Sequence, residues 1–235
     1  MEHDMSPSPL ADSAPDLLYK LRRDRDVAAF EHRRQMRHLL AVIRAIVRRT
    51  SLTHRSLEDY AAHLEGRIGA LGRVQEILMR GAGSGADLME VLSGEFLAEA
   101  IPDERVEMAG PRVFLAGKVA ASLALAIHEL TTNALKFGAL SAPHGRIAIG
   151  WTMDARDPER VRFAWTERGV PIASAAPRAT GFGAELIERT LPYEIGARTA
   201  LDFAPGGLHC LIEFRCGTSD RDERDVHEPA PGSGS

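Results

Sequence analysis

The chain has 235 residues, 44% of them hydrophobic and 26% charged, with a formal net charge of −4. Such a chain can bury a real core in one large domain or two small ones, which excludes a fibrous or wholly disordered protein. Two cysteines, Cys210 and Cys216, exclude a disulfide framework or a cysteine-rich metal site. Residues 1–15, "MEHDMSPSPLADSAP", carry no basic stretch followed by an apolar core. No apolar run approaches the ~20 residues that span a bilayer. The expectation is a cytoplasmic protein with no membrane partner. Residues 1–15 and the closing "GTSDRDERDVHEPAPGSGS" (217–235) are polar and rich in Pro, Gly and Ser, and are expected to be disordered.

Residues 16–82 read as a helical hairpin. Met36, Leu39, Leu40, Ile43, Ile46 and Val47 recur at three- and four-residue steps, the period of a helix face. "TSLTH" at 50–54 supplies turn and N-cap residues. Leu57, Leu64, Leu71 and Leu78 then repeat at every seventh position, with Tyr60, Ile68 and Val74 between them. A seven-residue apolar repeat asks for a packed helical partner. It is met either by a homodimer closing a four-helix bundle or by a hairpin packed on its own second domain. From Lys20 to Arg80 there are 14 Lys and Arg against 7 Asp and Glu. A basic helical surface suits an acidic protein or nucleic acid, but no nucleic-acid-binding motif accompanies it, so no nucleic acid partner is expected.

"RGAGSGADL" (80–88) marks a boundary, with Asp87 as a candidate cap, and residues 83–216 are mixed in pattern. "DLMEVLSGEFLAEA" reads as a helix, "RVEMAG" as a short strand and "LAGKVAASLALAIHELTTNALKFG" as a long helix. "RIAIGWTM" and "RVRFAWTE" alternate as strands do, and "GFGAELIERTLPYEIG" returns to helix. "TALDFAPGGLHCLIEF" is a hairpin turning at Pro205-Gly206-Gly207. Helices on one face of a mostly antiparallel sheet make an α+β sandwich.

Three stretches carry candidate chemistry. In "HELTTNALKFG", Glu129, Asn133 and Lys136 share one helix face, while Val119, Leu123, Ile127, Leu130 and Ala134 take another at core spacing. A carboxamide oxygen suits Mg²⁺ beside phosphates, an ammonium offsets phosphate charge, and a carboxylate accepts a proton or orients a nucleophile. Alone, such a face is more simply read as a solvated one. "WTERGVP" (165–171) sets Glu167 at a strand end, two residues before Gly169, where a carboxylate accepts from an exocyclic amine such as that of adenine. "TGFGAELIERT" places Gly181 and Gly183 ahead of a helix, where backbone and phosphate approach closely. The order of the three persuades where each one singly does not.

"HELTTNALKFGALSAPHGRIAIGW", "WTERG" and "GFGAELIERTL" closely resemble the ATP-binding domain of the HWE class of sensor histidine kinases, within the ATPases of the Bergerat fold. The class is named for a His and a Trp-x-Glu, here His128, Trp165 and Glu167. "LLAVIRAIVRRTS" and "SLEDYAAHLEGRIGALGRVQEIL" resemble its two dimerisation helices, so the likeness spans about residues 28–215. The resemblance implies ATP and Mg²⁺ as cofactors. Asn133 would hold the metal, Glu129 would assist phosphoryl transfer and Lys136 would face the phosphates. Glu167, with Gly169 after it, would hold the adenine, and Gly181 and Gly183 would support the phosphate loop. Val170 stands where the class usually has glycine.

The class also carries a His-Arg-x-x-Asn motif on its first helix, whose His accepts the phosphoryl group. In "EHRRQMRHLL" (31–40) that position is Arg34, with Glu31 retained three residues earlier. Arg34 cannot accept a phosphoryl group. His38, one turn on, is the one nearby histidine pointing the same way, whereas His32 is turned about 200° away. The expectation is a histidine-kinase core of two-component signalling with an intact ATP site and a degenerate acceptor, passing a phosphoryl group through His38 if through any residue. Its partner would be a response-regulator receiver domain or another kinase. The alternative is an inactive pseudokinase or scaffold that dimerises and binds such a partner.

Overall fold

A computed structural model describes residues 56–81, 85–170, 181–204 and 206–217, with ten further positions between 19 and 47. Arg34, His32 and His38, the 171–180 segment and most of both chain ends lie outside the described residues. The chain separates into two compact units, Met1–Ala45 and Ile46–Ser235. In the first, the described positions are helical, and Tyr19, Phe30 and Leu40 are exposed.

The second unit opens with α1 (Leu57–Arg80). Ser56 begins it, its Oγ accepting the Asp59 N–H at 3.1 Å, and Glu58 and Asp59 set negative charge on the first turn. The buried stripe of α1 is Arg67, Ala70, Leu71, Val74 and Ile77. This stripe packs on two later helices of the same unit, whereas Leu57 is 77% exposed. Next, β1 (Ala86–Asp87) pairs with β3 (Phe114–Leu115). Asp87 caps α2 (Leu88–Ala98), its Oδ1 accepting the Met89 N–H at 3.0 Å, as its place before an apolar run predicts.

The main sheet contains β2 (Val106–Ala109), β4 (Arg146–Asp154), β5 (Asp157–Arg168), β6 (Arg198–Ala204) and β7 (Gly207–Arg215). Its order is β2-β4-β5-β7-β6; β2 runs parallel to β4 and every other pair is antiparallel. Strand alternation sends Ile147, Ile149 and Trp151 of β4, Val161, Phe163 and Trp165 of β5, and Cys210, Ile212 and Phe214 of β7 into the core. The long helix α3 (Gly117–Lys136) lays Val119, Leu123, Ile127, Leu130 and Ala134 into that core. The Phe96 ring of α2 stacks on Trp165 at 6.1 Å between centroids. The last helical stretch runs as α4 (Phe182–Glu185), a π turn (Leu186–Thr190) and α5 (Leu191–Ile195). The architecture is α+β with helices over a mostly antiparallel sheet, and Ala204 pairs with Gly207 across the expected β6–β7 turn.

Candidate functional site

The polar face of α3 is divided. Asn133 and Lys136 are exposed near its C-terminal end, and Glu129, one turn earlier, is only 4% exposed. The cause is Arg67 of α1, whose Nε donates to Glu129 Oε1 at 2.7 Å and whose Nη2 donates to Oε2 at 3.2 Å. The guanidinium also sits 3.6 Å over the Phe182 ring at the start of α4. A two-pronged pair of this kind fixes a carboxylate in orientation as well as in charge. Lys136 is engaged as well, with Nζ 2.8 Å from His63 Nε2 of α1.

Gly183 meets the same face. A Cβ placed there would lie 3.1 Å from both Asn133 Nδ2 and Glu129 Cβ, so the missing side chain lets α4 seat against α3. Gly181 differs: its φ is −83° and a Cβ would meet nothing within 4 Å, so neither backbone nor space requires glycine there. Gly169 turns the chain at the end of β5 with φ +79°, and a Cβ would press within 3.1 Å of Gly145 Cα.

Glu167 ends the buried row of β5, inside the sandwich and 5% exposed. Its Oε2 accepts the Ala139 N–H at 2.7 Å and its Oε1 accepts the Trp165 Nε1–H at 3.3 Å. Burial pushes its carboxyl above the usual range, and these two hydrogen bonds offset only part of that. Each oxygen accepts one donor from the protein, which leaves acceptor capacity for a ligand.

Three polar residues at the centre of the helical layer were not singled out from the sequence: Arg67, Arg73 and Glu95. His128 donates from Nδ1 to Glu95 Oε1 at 2.7 Å, and Arg73 holds the other Glu95 oxygen. Burial pushes the Glu95 carboxyl up, but His128 and Arg73 outweigh it and hold the group below its ordinary value. Glu95, Glu99 and His128 bring potential metal donors within 4.8 Å of one another, yet both Glu95 oxygens are already engaged. The cluster is a hydrogen-bonded polar network between α1, α2 and α3. One signal for Arg67 was present: Tyr60, Leu64, Arg67, Leu71, Val74 and Leu78 are spaced 4, 3, 4, 3 and 4 apart, so a guanidinium occupies a position of the apolar stripe.

The fold resembles two solved structures. The histidine kinase domain of the Erythrobacter litoralis EL346 blue-light activated histidine kinase matches with a TM-score of 0.53 and 17% identity, over 71% of this chain and 79% of that one. A structure of the EL346 kinase itself matches at 0.59 and 18% identity, over 95% of this chain and 64% of that one. The fold is therefore that of histidine-kinase ATPase domains. Residues 30–112 match the family model of the HWE histidine kinase. A blue-light-activated histidine kinase 1 of Erythrobacter litoralis is 31% identical over 201 residues, 82% of this chain and 54% of that protein. A blue-light-activated histidine kinase of Brucella anthropi is 27% identical over 191 residues, 80% of this chain and 39% of that protein. The chain is a homologue of the HWE histidine kinases. It spans between 39% and 54% of the length of these two relatives. Among the described residues, no helix is long and apolar enough to cross a membrane.

Proposed function

We propose that the chain binds ATP with Mg²⁺ as a histidine-kinase core of two-component signalling, with a degenerate phosphoacceptor on its first helix. The observation that carries this is the meeting of an exposed Asn133, the close-packed Gly183 and the buried Glu167 around the C-terminal half of α3. The residues fit the ligand: Asn133 offers an open carboxamide, and Glu167 keeps acceptor capacity for an amine. When bound, ATP with Mg²⁺ supplies the transferable γ-phosphoryl group and the metal that offsets its charge. Asn133 holds the metal, Lys136 neutralises phosphate, Glu167 orients the adenine, Gly169 shapes the turn beside it, and Gly183 allows close backbone approach, a role that the open surroundings of Gly181 do not ask of that residue. Glu129 orients the accepting group.

In this reading residues 16–82 form the dimerisation and phosphotransfer-like part, and residues 83–216 the ATP-binding part. Exposure of Val47 and Ile68, at 40% and 43%, supports a homodimer that covers them. The named relatives are blue-light-activated histidine kinases, which supports a signalling role, with a receiver domain or a partner kinase as the protein bound. A second reading, the pseudokinase or scaffold, is favoured by the sealed Glu129 and by Arg34 at the acceptor position. Incubation with labelled ATP and Mg²⁺ separates the two. Wild type is expected to carry no acid-labile label, and Arg34→His with His38→Asn to acquire it. Strong wild-type labelling that survives His38→Ala would refute the assignment of His38.

A further inference from the structure

Helix α1 grips α3 through a row of residues on one side. His63 takes Lys136, Gly66 lies against the His128 ring, Arg67 takes Glu129, and Arg73 takes the Glu95 that holds His128. The grip falls on the helix that carries the proposed metal, phosphate and acceptor-orienting groups. Its central contact is also its most enclosed: the Arg67 and Glu129 side chains are 2% and 5% exposed, and Phe182 closes over the guanidinium from α4. Because Phe182 directly precedes Gly183, the carboxylate, the glycine loop and the hairpin helix converge on one guanidinium. While a two-pronged guanidinium holds both oxygens and Phe182 closes over it, an incoming group cannot reach this carboxylate.

We propose that Arg67 is a positioning residue that works as a latch: docked on α3 it withholds Glu129 from the nucleotide site, and phosphoryl transfer requires α1 to carry the guanidinium off that carboxylate. The proposal rests on the reading of Asn133, Glu167 and Glu129 as parts of an ATP site. Either charge left buried alone is heavily penalised, so the pair opens only when both groups find water or new partners, which makes it a two-state contact. The His63–Lys136 contact gives the coupling its sign. Lys136 cannot serve α1 and a phosphate group at once, so nucleotide binding and helix docking oppose each other, each by the same factor.

Gly66→Ala tests this without altering a charge. Its Cβ would lie 2.8 Å from the His128 Cε1 and Nε2 atoms, so α1 or that ring must shift, and the hydrogen bond from the ring to Glu95 favours movement of α1. Alanine favours helix over glycine, so α1 itself is retained. Wild type, Gly66→Ala and Arg67→Met are treated with a carbodiimide and an amine nucleophile, and Glu129 modification is read by mass spectrometry. Phosphate release from ATP and ATP affinity by calorimetry are measured on the same proteins. The latch predicts Glu129 labelling at least about fivefold faster in both variants, the low end of typical coupling. It also predicts a matching rise in phosphate release in Gly66→Ala, which Glu129→Gln in that background abolishes. A folded Gly66→Ala that binds ATP yet shows neither gain, or labels faster without releasing phosphate faster, would overturn the latch alone. Absence of ATP binding in all three proteins would refute the nucleotide reading, and the latch with it.

Discussion

Removing His128 should destabilise the Ile46–Ser235 unit severely, through a carboxylate on the preceding helix. In His128→Ala, Glu95 loses the Nδ1–H donor at 2.7 Å while remaining 3% exposed. Breaking a buried pair by removing one partner costs about 3–5 kcal/mol when the other charge is left alone. Arg73 still holds one Glu95 oxygen and is itself 31% exposed, which lowers that share to about 2–3 kcal/mol. The space vacated beside Gly66 adds about 1 kcal/mol as a cavity. The sum, about 3–4 kcal/mol, corresponds to a Tm lower by about 6–16 °C for a unit of this size. Urea denaturation read by circular dichroism and by the fluorescence of the buried Trp151 and Trp165 measures it. The pair also leaves a pH signature. Folded Glu95 holds its proton more weakly than the unfolded chain does, so its contribution is whole above the unfolded carboxylate pKa. It is lost as pH falls through the lower folded value. His128→Ala should therefore flatten the acid limb of the stability curve. Replacing both members, His128→Leu with Glu95→Leu, should recover most of the loss, because no carboxylate is then left buried without its donor. A single variant that loses less than about 1 kcal/mol would refute this account of the network.

Glu167→Gln should change stability at pH 7 by no more than about 1 kcal/mol yet weaken ATP binding at least about tenfold in calorimetry, since an amide offers one acceptor oxygen where the carboxylate offers two. Folded Glu167 holds its proton more tightly than the unfolded chain, so its contribution is whole below the unfolded pKa and is lost as pH rises through the folded one. The variant should abolish that slope. Gly183→Ala, whose Cβ would press within 3.1 Å of Asn133 and Glu129, should cost about 1 kcal/mol and reduce ATP affinity, whereas Gly181→Ala should do neither. Leu71→Asp should unfold the protein, because Leu71 is 3% exposed within one chain, and Leu64→Asp should spare the fold and dissociate a dimer in sedimentation. A wild type that sediments as a monomer at high micromolar concentration would remove the dimer.

Which parts of this were legible depended on whether the signal was periodic or contextual. Strands β4 and β5 announced themselves by alternation, Asp87 by its place before an apolar run, and the β6–β7 turn by Pro205 and its glycines. The core face of α3 followed from its 3.6-residue period. Its polar face was visible as a row, but the difference between a sealed Glu129 and an open Asn133 was not, because it is imposed by a helix more than 50 residues earlier. The heptad of leucines read as a seam for a partner helix. In the folded unit, Leu71 belongs to a stripe that also contains Arg67 and packs on α2 and α3, which no count of leucines distinguishes. Glu95 looked like one more charge on an amphipathic helix until His128 and Arg73 were brought to it in three dimensions.

Calorimetric titration of ATP into wild type and Asn133→Ala, each with Mg²⁺ and with chelator, tests the central claim most directly. The account predicts that wild type binds ATP more tightly with Mg²⁺ than without it. It predicts that Asn133→Ala loses most of that difference while its melting temperature stays within about 2 °C, since the side chain is exposed and truncating it leaves no cavity. Equal affinity with and without Mg²⁺, or a variant that keeps the full metal dependence, would contradict it.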